Sequence, residues 1–151
     1  MLLRLLSWLA SLRKGSTRMD QQKIKVAVVD DDEGFASALE RRFRLFGFEA
    51  STYPSAEAFL ASTAVPGPDC LVLDVQLGTM SGLDLQRRLC DLGAKVPIIF
   101  VTAYDSPAIR KEAEQGGCSA FFLKPVPTKL LLAAINMAVN PNNRPNQKPG
   151  R

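Results

Sequence analysis

Polar residues able to carry out phosphoryl chemistry follow four apolar segments of this sequence. They are Asp30, Asp31 and Asp32 after VAVV, Asp74 after CLVL, Thr102 after IIFV, and Lys124 after AFFL. Carboxylates that lie close together repel one another, and a divalent cation bound between them removes that cost. Near such a cation an aspartate can attack phosphorus, while a hydroxyl group and an ammonium group bind the phosphoryl oxygens.

The composition restricts the metal chemistry to hard cations. The 151 residues include three cysteines and no histidine. Cys70, Cys90 and Cys118 are widely spaced and form no CxxC pair, which argues against zinc, haem and iron–sulfur sites. We interpret them as reduced thiols of a cytoplasmic protein. Any metal ion is therefore expected to bind through oxygen, and Mg²⁺ is the ion that suits carboxylates combined with phosphate.

Apolar segments alternate with helical patterns along the chain. The strand candidates are residues 24–29, 48–52, 69–75, 96–103 and 119–124, and the helix candidates are residues 33–46, 54–62, 83–92, 107–116 and 127–139. One face of the first helix is predicted to be apolar, with Phe35, Leu39, Phe43 and Phe46. The alternation predicts a doubly wound α/β fold with a five-stranded parallel sheet. The polar residues above are then expected to converge at the carboxyl edge of that sheet.

The two ends of the chain differ in composition from its centre. The net charge of +4 comes from basic residues before Ile24 and after Val139, because the segment between them is more acidic than basic. We therefore expect no direct nucleic acid binding. Two interpretations of residues 1–22 stay open: an amphipathic helix that docks on a membrane surface or a partner, or an extension of the reading frame upstream of Met19. Residues 141–151 are polar and proline-rich, and we expect them to be disordered.

The order of these residues resembles the receiver domain of two-component response regulators, over residues 23–140. That family has an acidic pair after strand one, an aspartate after strand three, a threonine or serine after strand four, and Lys-Pro after strand five. The segments VVDDDE and YPSAEAFL are similar to those of receivers normally fused to a helix-turn-helix output domain. The resemblance implies a flavodoxin-like fold whose sheet has the strand order 2-1-3-4-5. It also implies a cytoplasmic switch that takes a phosphoryl group from a histidine kinase or a His phosphotransfer protein.

The resemblance implies a magnesium-dependent phosphorylation site. Asp74 corresponds to the phosphoacceptor of the family. The ligands implied for Mg²⁺ are the side chains of Asp30, Asp31 and Asp74 and the backbone carbonyl of Gln76. The chain is expected to phosphorylate itself from a phosphodonor and to lose the group by hydrolysis, without acting as a multi-turnover enzyme.

Residues near the ends of strands four and five match the phosphoryl-binding and switch positions of the family. Thr102, Ala103 and Lys124 are implied to contact the phosphoryl group. Thr102 and Phe121 are implied to form the switch, and the bond before Pro125 is implied to be cis. Phosphorylation is then expected to change the surface of helix four, strand five and helix five, where a downstream protein would bind.

Two other functions remain open. The DDD run also fits a haloacid-dehalogenase-like phosphohydrolase, with Asp30 as nucleophile, Asp32 as acid/base, and Thr102 and Lys124 in later motifs. That family needs a further acidic motif, but no acidic residue follows Lys124, and Asp74 would have no role. The second alternative is a passive receiver-like binding module that is never phosphorylated, which the intact set of aspartate, threonine and lysine argues against. Because 27 residues follow Lys124, no effector domain is expected in this chain.

Overall fold

Strands and helices alternate strictly along the residues that the computed structural model describes, 22–62 and 67–143. The strands are β1 (Lys25–Val29), β2 (Glu49–Tyr53), β3 (Cys70–Leu73), β4 (Ile98–Thr102) and β5 (Ala120–Leu123). The helices are α1 (Glu33–Leu45), α2 (Ala56–Ala61), α3 (Gly82–Asp91), α4 (Pro107–Gln115) and α5 (Thr128–Val139), and a 3₁₀ turn follows at Pro141–Asn143.

The five strands form one sheet in the order β2-β1-β3-β4-β5, and every neighbouring pair is parallel. This confirms the predicted doubly wound fold. β3 and β4 are buried along their whole length, and apolar apart from Thr102 at the end of β4, because helices cover both faces of the sheet. The edge strand β2 instead alternates exposed and buried residues in its first half.

Each face of the sheet has its own hydrophobic core. On the first, the α1/α5 face, side chains of α1 and α5 pack on β1, β3 and β4. On the second, the α2/α3/α4 face, side chains of α2, α3 and α4 pack on the other sides of the same strands. Alternate residues of each strand therefore belong to opposite cores, as the two-residue repeat of a strand requires.

Short polar side chains begin four of the helices. Asp32, Ser55, Ser81 and Ser106 each accept a hydrogen bond from a backbone N–H in the first turn of the helix that follows. Such caps satisfy N–H groups that have no partner inside the helix. All four helices start close to the carboxyl edge of the sheet, so the caps also hold the loops that surround that edge.

The structure corrects several predicted boundaries. Phe46 does not belong to the buried face of α1: the helix ends at Leu45, and Phe46 is 62% exposed. The second helix begins at Ala56 rather than Pro54, because Ser55 is its capping residue. The second strand runs one residue further along the chain than predicted, ending at Tyr53.

The N-terminal segment with the predicted helix, residues 1–22, lies outside the described residues apart from Gln22. The same holds for the predicted disordered tail, apart from the 3₁₀ turn at Pro141–Asn143. Within the described residues, no helix is both long enough and apolar enough to cross a membrane.

Candidate functional site

Three of the predicted site residues meet in one hydrogen-bonded group at the carboxyl edge of the sheet. The ammonium group of Lys124, after β5, donates to Asp30 Oδ2 at 2.8 Å and to Asp74 Oδ2 at 3.1 Å. Asp30 follows β1 and is 2% exposed, and Asp74 follows β3 and is 7% exposed. One ammonium group thus bridges two buried carboxylates from neighbouring strands.

The backbone ladder of the sheet continues into these residues and fixes their positions. Three hydrogen bonds do this: Asp30 N–H to the carbonyl of Tyr53 (3.1 Å), Asp74 N–H to the carbonyl of Val29 (3.0 Å), and Lys124 N–H to the carbonyl of Thr102 (2.8 Å). Because the strands are parallel and in register, their ends deliver the three side chains to the same place.

The acidic cluster, Asp30, Asp31 and Asp74, has the composition of a hard-cation site. One carboxylate oxygen from each residue can be chosen so that all three lie within 4.8 Å of one another. Asp31 is exposed, so the cluster opens to solvent on its side. Mg²⁺ favours a site with few carboxylates that leaves positions for water and phosphate oxygens, and these residues fit that preference.

Backbone N–H groups orient the two buried carboxylates. The N–H of Asp32 donates to Asp30 Oδ1 at 2.9 Å, and the N–H of Gln76 donates to Asp74 Oδ1 at 3.1 Å. Each buried aspartate therefore turns one oxygen towards its own loop and the other towards Lys124. The side chain of Gln76 is exposed, and its backbone borders the cluster through this hydrogen bond.

Burial and ion pairing act against each other in this group. Burial raises the pKa of Asp30 above its ordinary value, and the repulsion from Asp74 adds to it, although the hydrogen bond from Lys124 opposes the rise. For Lys124, burial lowers the pKa, but the hydrogen bonds to the two carboxylates outweigh it and the pKa is raised. The ammonium group is therefore firmly protonated, and it partly offsets the negative charge of the cluster.

Thr102 and Ala103 lie at the end of β4, beside the group but not bonded to its carboxylates. The side chain of Thr102 is buried, and its Oγ1 accepts a hydrogen bond from Tyr104 N–H at 3.2 Å. Among the described residues, the Thr102 side chain makes no hydrogen bond to the acidic cluster. Ala103 is exposed directly after it.

Phe121 lies on β5 and packs on the α2/α3/α4 face. Its ring is half-buried, with its centroid 6.0 Å from that of Phe100. The guanidinium carbon of Arg110, on α4, lies 4.8 Å from the centroid of the Phe121 ring. The bond between Lys124 and Pro125 is cis in the structure.

The start of α3 lies against the backbone of Asp74. The N–H of Gly82 donates to the carbonyl of Val75 at 2.8 Å. A β-carbon on Gly82 would stand 2.1 Å from the carbonyl oxygen of Asp74, which is closer than any real contact. Only glycine lets the helix approach so closely, and the approach fixes the backbone on both sides of Asp74.

Sequence reasoning missed two residues that touch the site. The ring of Phe35 lies against Lys124, with the ammonium nitrogen 4.1 Å from the ring centroid. The ring of Phe121 is covered by Arg110. Phe35 was expected only as a core residue of α1. Its place in the first turn of a helix that follows an acidic run is the one sequence signal that it lies near the site.

Comparison with known proteins agrees with this geometry. The family model of the response regulator receiver domain matches residues 26–136. The chain belongs to this family. It is a receiver domain of the kind found in two-component systems, and phosphorylation and Mg²⁺ binding are general features of such domains.

Several response regulators are similar to this receiver domain over most of its length. Response regulator protein TmoT of Ectopseudomonas mendocina is 37% identical over 125 residues, which are 83% of this chain and 57% of TmoT. Nodulation protein W of Bradyrhizobium diazoefficiens is 39% identical over 113 residues, 75% of this chain and 50% of that protein. The chain thus spans between 50% and 57% of the length of these two curated relatives.

Solved structures show the same fold. The crystal structure of FixJ-N is 32% identical with a TM-score of 0.73, and the match covers 80% of this chain and 96% of FixJ-N. The structure of response regulator StyR is 35% identical with a TM-score of 0.73, and the match covers 80% of this chain and 61% of StyR.

Proposed function

We propose that Asp74 accepts a phosphoryl group from the phosphohistidine of a sensor kinase or a phosphotransfer protein. The observation that carries this proposal is the hydrogen bond of 3.1 Å from Lys124 to Asp74 inside the acidic cluster. A carboxylate oxygen of Asp74 attacks phosphorus, and an O–P bond forms as the N–P bond breaks. The electron pair of the broken bond stays on the imidazole nitrogen, and the ring leaves neutral when its other nitrogen carries a proton.

The proposed cofactor is Mg²⁺, held by Asp30, Asp31, Asp74 and the backbone carbonyl of Gln76. The all-oxygen composition of the acidic cluster supports this choice of ion. When bound, the ion offsets the negative charge of the carboxylates and of the incoming phosphoryl oxygens. These residues would hold the ion at the carboxyl edge of the sheet.

Lys124, Thr102 and Ala103 are proposed to bind the phosphoryl group. Lys124 already donates to Asp74, so an oxygen of the new group can replace the carboxylate as its acceptor. Thr102 Oγ1 accepts a hydrogen bond from the backbone and keeps its own proton for donation. The backbone N–H of Ala103, at the exposed end of β4, is the third proposed donor.

The proposed output is a change in partner binding rather than turnover of a metabolite. We expect phosphorylation to shift an existing equilibrium, in which Thr102 moves towards the phosphoryl group and Phe121 turns into the space that it leaves. The half-buried position of the Phe121 ring supports a side chain that can turn. The surface that changes is formed by α4, β5 and α5, and a downstream protein is proposed to bind there.

Phosphorylation by acetyl phosphate with Mg²⁺ tests the proposal. Intact mass measures the gain of one phosphoryl group on the wild type, on Asp74→Asn and on Asp30→Asn. Asp91→Asn is the matched control, because it removes the same charge from an exposed position at the end of α3. We expect the wild type and Asp91→Asn to gain the group, Asp74→Asn to gain none, and Asp30→Asn to react slowly.

Two results would contradict the proposal, and each would favour a different alternative function. An adduct that forms on Asp74→Asn but not on Asp30→Asn would place the nucleophile on β1, as in a haloacid-dehalogenase-like phosphohydrolase. No adduct on the folded wild type, from either acetyl phosphate or a phosphorylated His phosphotransfer protein, would leave a passive binding module as the better description.

The limits of the functional unit are part of the proposal. We propose that the receiver unit spans residues 23–140, slightly more than the 26–136 matched by the family model. Receiver domains act with histidine kinases and output domains. The kinase and the downstream partner of this chain are to be found by comparing what binds the phosphorylated and unphosphorylated forms.

A further inference from the structure

The ammonium group of Lys124 has a third contact besides the two carboxylates. Its nitrogen lies 4.1 Å from the centroid of the Phe35 ring. An ammonium group at this distance over an aromatic face is attracted by the negative charge density of the ring. We propose that Phe35 is a positioning residue, whose ring holds the Lys124 ammonium over the strand ends during phosphoryl transfer. This inference rests on the proposed function.

The local structure of α1 places the Phe35 ring rigidly. Asp32 caps the helix by accepting a hydrogen bond from Phe35 N–H at 3.0 Å, so the acidic run itself fixes the backbone of Phe35. The side chain is half-buried and packs against the core on the α1/α5 face. One side of the residue is therefore anchored in the core, and its ring borders the site.

Lys124 reaches the ring because of the alternation along β5. Ala120 and Phe122 pack into the core of the α1/α5 face, whereas Phe121 packs into the opposite core. Continuing the two-residue repeat puts Lys124 on the α1/α5 face, where Phe35 lies. The Lys124 side chain is only 18% exposed there.

The Phe35 ring differs from the two carboxylates because it does not belong to the proposed metal site. Asp30 and Asp74 contact Lys124 and would also hold the proposed metal ion, so their oxygens would be shared between the ammonium and the cation. Asp74 also changes chemically when it is phosphorylated. The attraction of the ring for the ammonium remains through these steps, and the ring keeps water from one side of the charge.

Two substitutions at Phe35 distinguish the effect of its aromatic face from the effect of its apolar volume. Phe35→Leu keeps an apolar side chain but removes the π face, and Phe35→Tyr keeps both. We expect Phe35→Leu to slow phosphorylation from acetyl phosphate by about two- to thirtyfold, the range that a lost cation–π contact gives. We expect Phe35→Tyr to stay within about twofold of the wild type.

Phe48→Leu is the matched control, because it makes the same exchange in the core of the α1/α5 face, away from Lys124. Phe48→Leu should lower the stability through lost packing, and thermal unfolding measures the stability of every variant. We expect its phosphorylation rate to equal that of the wild type. A Phe48→Leu protein that is slowed as much as Phe35→Leu would overturn the inference, since general loss of packing would then explain both.

Proton NMR of the unphosphorylated protein gives a readout that packing alone would not move. The ε-methylene protons of Lys124 next to the ammonium should be shifted upfield by the Phe35 ring and should show cross-relaxation with its ring protons. Phe35→Leu should abolish the shift, and Phe35→Tyr should keep it. A wild-type protein without the shift would overturn the contact, whatever the variants do.

The two proposals fail in different ways. If the wild type takes no phosphoryl group, the proposed function fails and the role of Phe35 in transfer fails with it. If the wild type is phosphorylated and Phe35→Leu reacts at the same rate, only the role of Phe35 is overturned.

Discussion

The helices on the α1/α5 face and helix α4 on the opposite face are held to the sheet by different forces. The two helices of the first face bury large apolar residues, namely Leu39 and Phe43 from α1 and Leu131, Leu132 and Ile135 from α5. Burial of this kind is strong, because each buried aliphatic or aromatic side chain contributes about 1.5–3 kcal/mol. Both helices are therefore firmly packed on the sheet.

Helix α4 buries a single residue completely, Ala113. Two polar contacts with α3 add to this: Gln86 Nε2 donates to the carbonyl of Ala113 at 3.0 Å, and Arg87 pairs with Glu112 at 3.1 Å. A neutral hydrogen bond contributes about 0.5–1.5 kcal/mol, and an exposed ion pair contributes about 0–1 kcal/mol. Helix α4 is therefore held by several small contributions rather than by one deep core.

This contrast bears on the proposed switch. Elements with little buried apolar surface open locally at a lower free energy than the rest of a domain. Phe121, the proposed switch aromatic, lies under Arg110 of α4, so the weakly held helix covers the residue that is proposed to turn. Firmly packed helices thus border the site near Lys124, and a lightly packed helix covers the proposed switch residue.

The rates at which the three cysteines react with a thiol reagent should show the largest difference between the firmly packed core and the region of α4. Cys70 lies in the core of the α1/α5 face, where burial raises its pKa to about 12, and Cys118 is half-buried next to α4 with its pKa raised mainly by burial. Cys90 is exposed on α3.

With a thiol reagent and mass analysis, we expect Cys90 to react first, then Cys118 through local opening, and Cys70 only through global unfolding, at a cost of about 5–15 kcal/mol. If Cys118 reacts as slowly as Cys70, α4 opens only with the whole domain and the contrast is wrong.

Core truncation should affect the two faces unequally. Phe43→Ala removes a completely buried ring from α1 and should lower the free energy of unfolding by about 3–5 kcal/mol. Ile109→Ala, at a half-buried position of α4, should cost clearly less. Phe46→Ala, at the residue that follows α1, is the control, because its ring is exposed and the change should stay within about 0.5 kcal/mol. Urea unfolding measures all three, and equal losses for Phe43→Ala and Ile109→Ala would contradict the comparison.

The fold was predictable because its signals are local. Continuous apolar runs marked the central strands, and Ser106 with Pro107 marked the start of α4 where the structure has it. Phe46 was placed wrongly because periodicity alone does not show where a helix stops. Its spacing fits the buried face, but α1 ends one residue earlier and the ring turns to solvent.

The site was predictable as far as topology determines it. Parallel strands bring their ends together, so the convergence of Asp30, Asp74 and Lys124 followed from the strand order. The contacts of Phe35 with Lys124 and of Arg110 with Phe121 did not follow, because they depend on how helices pack and which rotamers they allow. Such contacts between a helix and a strand leave no fixed spacing in a sequence.

The polar link between α3 and α4 gives a smaller test. Gln86→Met keeps the length of the side chain but removes the hydrogen bond to Ala113, whose carbonyl still accepts one from Cys118 N–H at 3.1 Å. We expect a loss of about 0.5–1.5 kcal/mol. It should appear as faster hydrogen exchange of α4 amides while α5 amides change little. Arg87→Gln, which removes the exposed pairs with Glu112 and Asp84, should change exchange less. Equal acceleration in α4 and α5 would show that the link supports the whole domain instead.

The smallest effect concerns pH and the start of α3, the helix to which α4 is tied. Hydrogen bonds from Ser81 hold the pKa of Asp84 below its ordinary value, and Arg87 lowers it further. Because the folded pKa lies below the unfolded one, the ionised carboxylate adds stability above the ordinary carboxyl pKa of about 4. This contribution is lost as the pH falls through the folded pKa. Urea unfolding should therefore show Asp84→Asn less stable than the wild type at neutral pH, with the gap closing in acid. If the difference in stability between the wild type and Asp84→Asn is the same at both pH values, the effect comes from side-chain geometry and not from charge. The contribution of α3 to holding α4 would then be independent of pH.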